Sequence, residues 1–168
     1  MKSSVSHAIV LFVILLSGPW SMGQTRTPEK LSDSLDSEQI VVFVCEHGAA
    51  KSIVAAAYFN KLARERNLRF RAIARGTTPQ DEIAVSASKG LQADGLTVTE
   101  QKPVELTRNN VTKSFRVVTF CALPEDYYRA ARVEEWNDVP SVGDDYKKAR
   151  DIILDHVERL INDLQSKK

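Results

Sequence analysis

An unbroken run of β-branched and aromatic residues, Ile40-Val41-Val42-Phe43-Val44, leads directly into Cys45-Glu46-His47-Gly48-Ala49-Ala50-Lys51-Ser52. Helical apolar periodicity follows. A run of this kind, with no polar residue alternating through it, fits a strand buried on both faces, as in a parallel sheet covered by helices. After it, Val54, Tyr58 and Leu62 recur at four-residue spacing with Ile53 and Ala57 beside them, while Lys61, Arg64 and Glu65 fall on the opposite side. That pattern predicts a helix over about 51–66. A strand feeding a helix through a short loop of small residues is the opening unit of an α/β fold.

The remaining pattern repeats the alternation. Residues 70–74 read as a second strand ending at Arg75-Gly76, and Thr78-Pro79 reads as an N-cap with proline in the first helical turn. Ile83, Ala87 and Leu91 supply the buried stripe of that helix, with Gly90 or Gly95 at its end. A short helix is expected near 106–111, a third strand at 115–120 ending on Cys121, and a weaker fourth strand at 132–136. A final helix over about 145–164 carries Ala149, Ile153, Val157, Leu160 and Leu164 at spacings of three and four. Strands alternating with helices imply a parallel sheet with helices on both faces. Such sheets bind ligands at the carboxyl ends of their strands, where both Cys45 and Cys121 fall.

The 168 residues suffice for one domain, and a net charge of +1 gives no footprint for nucleic acid or an anionic membrane. Lys2, the apolar stretch Ala8 to Leu16, the helix breakers Gly18-Pro19 and the small residues Ser21-Met22-Gly23 form a secretory signal pattern, with cleavage expected before Gln24. The apolar stretch is too short to cross about 30 Å of hydrocarbon. Residues 24–38 are polar and aperiodic and read as a linker, leaving 39–168 as the domain. The expected location is periplasmic or secreted, without a stable membrane anchor after cleavage.

The Cys45 loop carries the chemistry. Small residues let a backbone curl so that several N–H groups converge, and the helix that follows adds its own unpaired donors and the positive end of its dipole. That environment favours a thiolate. Lys51 adds a cation at the helix start, and Ser52 offers a hydroxyl to the sulfur. Glu46, His47, Gly48, Ala49 and Ala50 form the rest of the oxyanion cradle, with His47 either shaping the loop or helping to hold the thiolate charged. The alternative for Cys45 is a small buried hydrophobe, and for Lys51 an ordinary exposed helix residue.

The spacing Cys-x5-basic-Ser after a strand and opening a helix resembles the phosphate loop of low-molecular-weight tyrosine phosphatases. It is closer still to the arsenate reductases of the same family, whose loop commonly reads Cys-x-His-Asn-Ala-Gly-Arg-Ser. Cys45, His47, Ala49 and Ser52 match; Lys51 stands for the arginine and Gly48 for the asparagine. The resemblance covers nearly all of 39–166. It implies a flavodoxin-like, doubly wound α/β/α fold with a four-stranded parallel sheet in the order 2-1-3-4, and a phosphoryl-transfer chemistry that needs no metal or organic cofactor. The implied substrate is a phosphorylated protein, a small phosphomonoester or another oxyanion. A non-catalytic phosphate or phosphopeptide module and an arsenate reductase are the alternatives.

The resemblance also implies a loop after the third strand that brings an aspartate, next to a proline, to act as general acid on the leaving group. Trp136-Asn137-Asp138-Val139-Pro140 resembles that loop and makes Asp138 the first choice, with Asp144 and Asp145 as fallback or as caps of the last helix. Arg75 is a candidate second cation for the oxyanion. Tyr127 and Tyr128 are candidates for a cleft wall, and His156 for a structural position. Cys121 stands at the first position of the redox pair used by thioredoxin-coupled arsenate reductases, but Tyr128 occupies the place of the second. In this fold Cys45 and Cys121 are expected at the ends of adjacent strands, a placement that would permit a disulfide.

Overall fold

The computed structural model describes residues 38–98 and 100–166; the expected signal segment 1–23 and nearly all of the linker lie outside the described residues. The elements, in chain order, are β1 (Gln39–Cys45), α1 (Lys51–Glu65), β2 (Phe70–Gly76), α2 (Val85–Ala93), α3 (Arg108–Lys113), β3 (Arg116–Thr119), α4 (Glu125–Ala130), β4 (Val133–Glu135) and α5 (Tyr146–Ser166). The strands form one parallel sheet in the order β2-β1-β3-β4, as the sequence predicts.

β1 lies centrally because its side chains are apolar on both faces. Val41 and Phe43 point with Cys45 into a core completed by α1, α2 and α5, including Phe59, Leu91, Trp136 and Ile153. Val42 and Val44 point the other way, against Leu106, Val111, Leu123 and Tyr127 from the α3 and α4 layer. Phe43 sits between Phe59 and Trp136, with ring centroids 5.8 and 5.5 Å away. Removing a ring so enclosed costs about 3–5 kcal/mol.

The structure corrects one sequence expectation, decides between two alternatives in another, and adds one element that was not expected. α2 starts at Val85 rather than Thr78, without a side-chain cap. The amides of residues between β2 and α2 are engaged elsewhere, as described below, and cannot begin a helix there. Of the two glycines expected to end α2, Gly95 does so in the left-handed region at φ +71°, whereas Gly90 lies within the helix. Finally, α4 is a helical turn that apolar periodicity could not announce, since none of its residues is buried. Its signal was Pro124 followed by Glu125 and Asp126, which suit the positive end of a helix.

The outer edge of β2 is closed by side chains and by a neighbouring loop. Asn60 donates to the Ala72 carbonyl (3.0 Å) and accepts from the Ala72 amide (2.7 Å), imitating a paired strand residue. The Ala74 amide donates to Glu100 (3.0 Å) and its carbonyl accepts from Arg75 Nη1 (2.6 Å). Gly76 pairs through its amide with Val104 (2.9 Å) and through its carbonyl with Leu106 (2.8 Å).

Candidate active site

The sheet reverses its winding between β1 and β3, and that switch point opens a crevice at the carboxyl ends of the strands. A cavity of about 420 Å³ occupies it, with Cys45, Glu46, His47, Ala49, Ala50, Lys51 and Cys121 in its wall. Most of the residues expected from sequence therefore meet in one place.

The loop after β1 owes its shape to the segment after β2. Amides of Thr77, Thr78, Gln80 and Ala84 donate to the carbonyls of Cys45, Glu46, His47 and Ala49 at 3.2, 2.8, 3.3 and 3.0 Å. Because each peptide is planar and trans, a carbonyl turned toward that segment turns the next residue's N–H away from it. The N–H groups of Glu46, His47, Gly48 and Ala50 are thereby freed, and among the described residues none of them donates to a backbone carbonyl. Together with the start of α1 they form an anion-binding set.

Gly48 makes this ladder possible. It has φ +62°, and a Cβ there would lie 2.8 Å from the Gly76 nitrogen and 3.0 Å from the Gly76 Cα. A Cβ on Gly76 would in turn meet the Gly48 nitrogen at 2.7 Å. Backbone packs directly on backbone, so the loop is braced by β2 where the family pattern has an asparagine side chain. Gly48 itself is buried and lies behind the cavity wall.

Cys45 is 8% exposed at the foot of the cavity, and its sulfur lies 3.1 Å from the Oγ of the fully buried Ser52. Ser52 thus supports the thiol from below. Lys51 reaches across the cavity and donates from Nζ to the Val139 carbonyl at 2.6 Å. It ties the loop after β4 to the nucleophile loop and keeps two further ammonium protons for an anion. His47 is exposed, with Nδ1 3.3 Å from the Thr78 carbonyl. Cys121 is half-buried, and burial pushes its thiol up against the opposing pull of hydrogen bonds from Thr119 and Thr77. Both cysteines are free thiols.

Six residues named from the sequence are placed elsewhere. Asp138 does not line the cavity: its two carboxylate oxygens meet His156 Nε2 at 2.8 and 2.9 Å. His156 stacks on Trp136 (4.7 Å, 14°) and accepts from Arg159 at Nδ1 (2.9 Å), which leaves its proton on Nε2 for Asp138. That hydrogen bond holds the Asp138 carboxyl below the usual carboxylate range. A carboxyl placed outside the cavity, with its ionised form favoured by that bond, is poorly suited to act as general acid. Asp145 accepts from the Lys148 amide at 2.9 Å and caps α5, and Asp144 is exposed outside the cavity lining.

Arg75 also lies away from the cavity. Its guanidinium is engaged by Asn110 Oδ1 (3.3 Å) and the Ala74 carbonyl on the β2 edge, and burial lowers its pKa. Tyr127 packs in the core beneath α4, and Tyr128 donates to Glu135 at 2.6 Å, so neither walls the cleft. The wall that sequence reasoning missed comes from Gln80, Ala84, Ser86, Phe120 and Ser141-Val142-Gly143. Those residues follow strand ends, the one signal that pointed to them. Among the described residues no cluster of three or more His, Cys, Asp or Glu could hold a metal.

No family model and no curated relative matches the sequence. Solved structures do. YfkJ from Bacillus subtilis superposes with a TM-score of 0.69 at 17% identity, covering 79% of this chain and 98% of its own. The YwlE arginine phosphatase, in a mutant form with a phosphorylated active-site serine, gives 0.66 at 17% identity over 76% of this chain and 96% of its own. An arsenate reductase from Archaeoglobus fulgidus gives 0.59 at 25% identity over 73% and 98%. The chain has the fold shared by low-molecular-weight protein tyrosine phosphatases and arsenate reductases.

Proposed function

We propose that the protein is a cysteine-dependent phosphatase acting on phosphomonoesters. The observation that carries this reading is the Cys45 sulfur, 3.1 Å from Ser52 at the foot of a cavity lined by its own loop and Lys51. The Cys45 thiolate attacks phosphorus; the S–P bond forms as the ester P–O bond breaks, and the leaving oxygen takes a proton. The freed loop amides and Lys51 hold the equatorial oxygens. Water then cleaves the phosphocysteine, its oxygen bonding to phosphorus as the S–P bond breaks, which returns the Cys45 thiolate and releases inorganic phosphate. The cavity suits a phosphorylated side chain or a small phosphomonoester. Export of the protein through the segment 1–23 belongs to the same proposal.

The mature protein under reducing conditions is expected to hydrolyse p-nitrophenyl phosphate, and Cys45→Ser to abolish it. Lys51→Arg should raise kcat/KM or tighten phosphate binding by restoring a bidentate fork, and Lys51→Met should weaken both by about tenfold or more. Identical behaviour of the three Lys51 forms removes the oxyanion role from this residue. A second reading, a phosphate-binding module without turnover, is favoured by the lysine in the arginine's place and by Asp138 lying outside the cavity. Tight phosphate binding with no Cys45-dependent hydrolysis would select it. An arsenate reductase draws support from Cys121 in the same cavity and is weakened by Tyr128 at the second relay position.

A further inference from the structure

Phosphoryl transfer to Cys45 leaves an alkoxide or phenoxide that needs a proton, and the expected donor is not at the cavity. We propose that Glu46 is the general acid and base of this site, protonating the leaving-group oxygen and then taking the proton of the water that attacks the phosphocysteine. This rests on the phosphatase reading. Glu46 adjoins the nucleophile in sequence, lines the cavity, and is the one carboxylate in that lining. Its backbone is fixed by the Thr78 amide on its carbonyl at 2.8 Å. Its side chain is exposed and has no hydrogen-bond or ion-pair partner among the described residues. Cys45, Glu46 and Cys121 line the same cavity, so this carboxylate shares the space in which the nucleophile acts.

Two other charged or titratable side chains of the wall have partners. His47 Nδ1 is at the Thr78 carbonyl, and Lys51 Nζ is on the Val139 carbonyl and must stay charged to hold the oxyanion. Having given its proton to the leaving oxygen, the Glu46 carboxylate is the base for the second step, and hydrolysis returns the proton to it. The cycle closes without an outside co-reactant.

The test compares phenyl phosphate, a poor leaving group, with p-nitrophenyl phosphate, on wild type, Glu46→Gln, His47→Gln and Asp138→Asn. Glu46→Gln is expected to lose about a hundredfold in kcat on phenyl phosphate and less than about tenfold on the nitrophenyl ester. An equal loss on both esters, or a leaving-group effect that appears in His47→Gln or Asp138→Asn instead, overturns the assignment while Cys45-dependent turnover stands. Absence of Cys45-dependent turnover in the wild type overturns it together with the phosphatase reading. Glu46 is exposed, so circular dichroism of Glu46→Gln should match wild type.

Discussion

At the scale of single residues, Gly48 is one of the positions where this chain departs from the loop it resembles, and the structure explains the departure. Its φ of +62° is costly for a side chain, and the space a Cβ needs is filled by Gly76 backbone. Gly95 supplies a control, with φ +71° and nothing within 4 Å of a Cβ. Gly95→Ala should cost about 1–2 kcal/mol, the left-handed penalty alone. Gly48→Ala should cost more, about 3 kcal/mol with the added strain, and should lower phosphate affinity as well. Thermal melts and phosphate titration of both variants separate the two effects; equal melting of the two would mean that the backbone contact does not hold the loop. Cys45, Lys51 and Ser52 were legible because strand, loop and helix start are contiguous, so spacing alone fixed their relation. Asp138 was not, because its fate depends on His156, a helix away, and no local pattern encodes that pairing.

At the scale of elements, parallel pairing of β1 with β3 aligns Val44 with Thr119, so the chain leaves both strands at the same height and brings Cys45 and Cys121 to one cavity. Air-oxidised protein is expected to carry a Cys45–Cys121 disulfide and to be inactive until treated with dithiothreitol. A count of two free thiols after prolonged air exposure, with activity indifferent to reductant, rules this out. The alternation of strands and helices was readable from periodicity, including the order of the sheet through the family pattern. The start of α2 was not. Thr78-Pro79 is a good local helix signal, yet the amides of 77, 78, 80 and 84 pair with the Cys45 loop, some thirty residues earlier in the chain. Tertiary hydrogen bonds override the local preference there, and the override builds the site.

At the scale of the whole molecule, three helices of one layer are pinned through a single carboxylate. Asp94, just past α2, accepts from Tyr58 of α1 (2.7 Å), Tyr146 of α5 (2.6 Å) and Arg150 of α5 (2.9 Å). Burial alone would raise the Asp94 pKa, but the bonds from Tyr146, Tyr58 and Arg150 outweigh it and hold it below the ordinary value. Tyr58 is pushed up to about 12, by burial first and then by its bond to Asp94. A carboxyl whose folded pKa is depressed contributes stability that is present above its unfolded value, about 3.9, and lost as pH falls through the folded value. Melting temperature should therefore drop on acidification below about pH 4, and Asp94→Asn should flatten that drop while lowering stability at neutral pH. An unchanged acid limb in Asp94→Asn would place the acid sensitivity elsewhere. The closed margin of β2 bears on how copies of the molecule meet. A sheet grows from its rim by lending unpaired amides and carbonyls to an incoming chain. Here Asn60, Glu100, Arg75 and the 104–106 loop already occupy those groups. The opposite rim, β4, is only three residues long. Among the described residues each rim is therefore either largely occupied or very short, which leaves an incoming strand little to pair with.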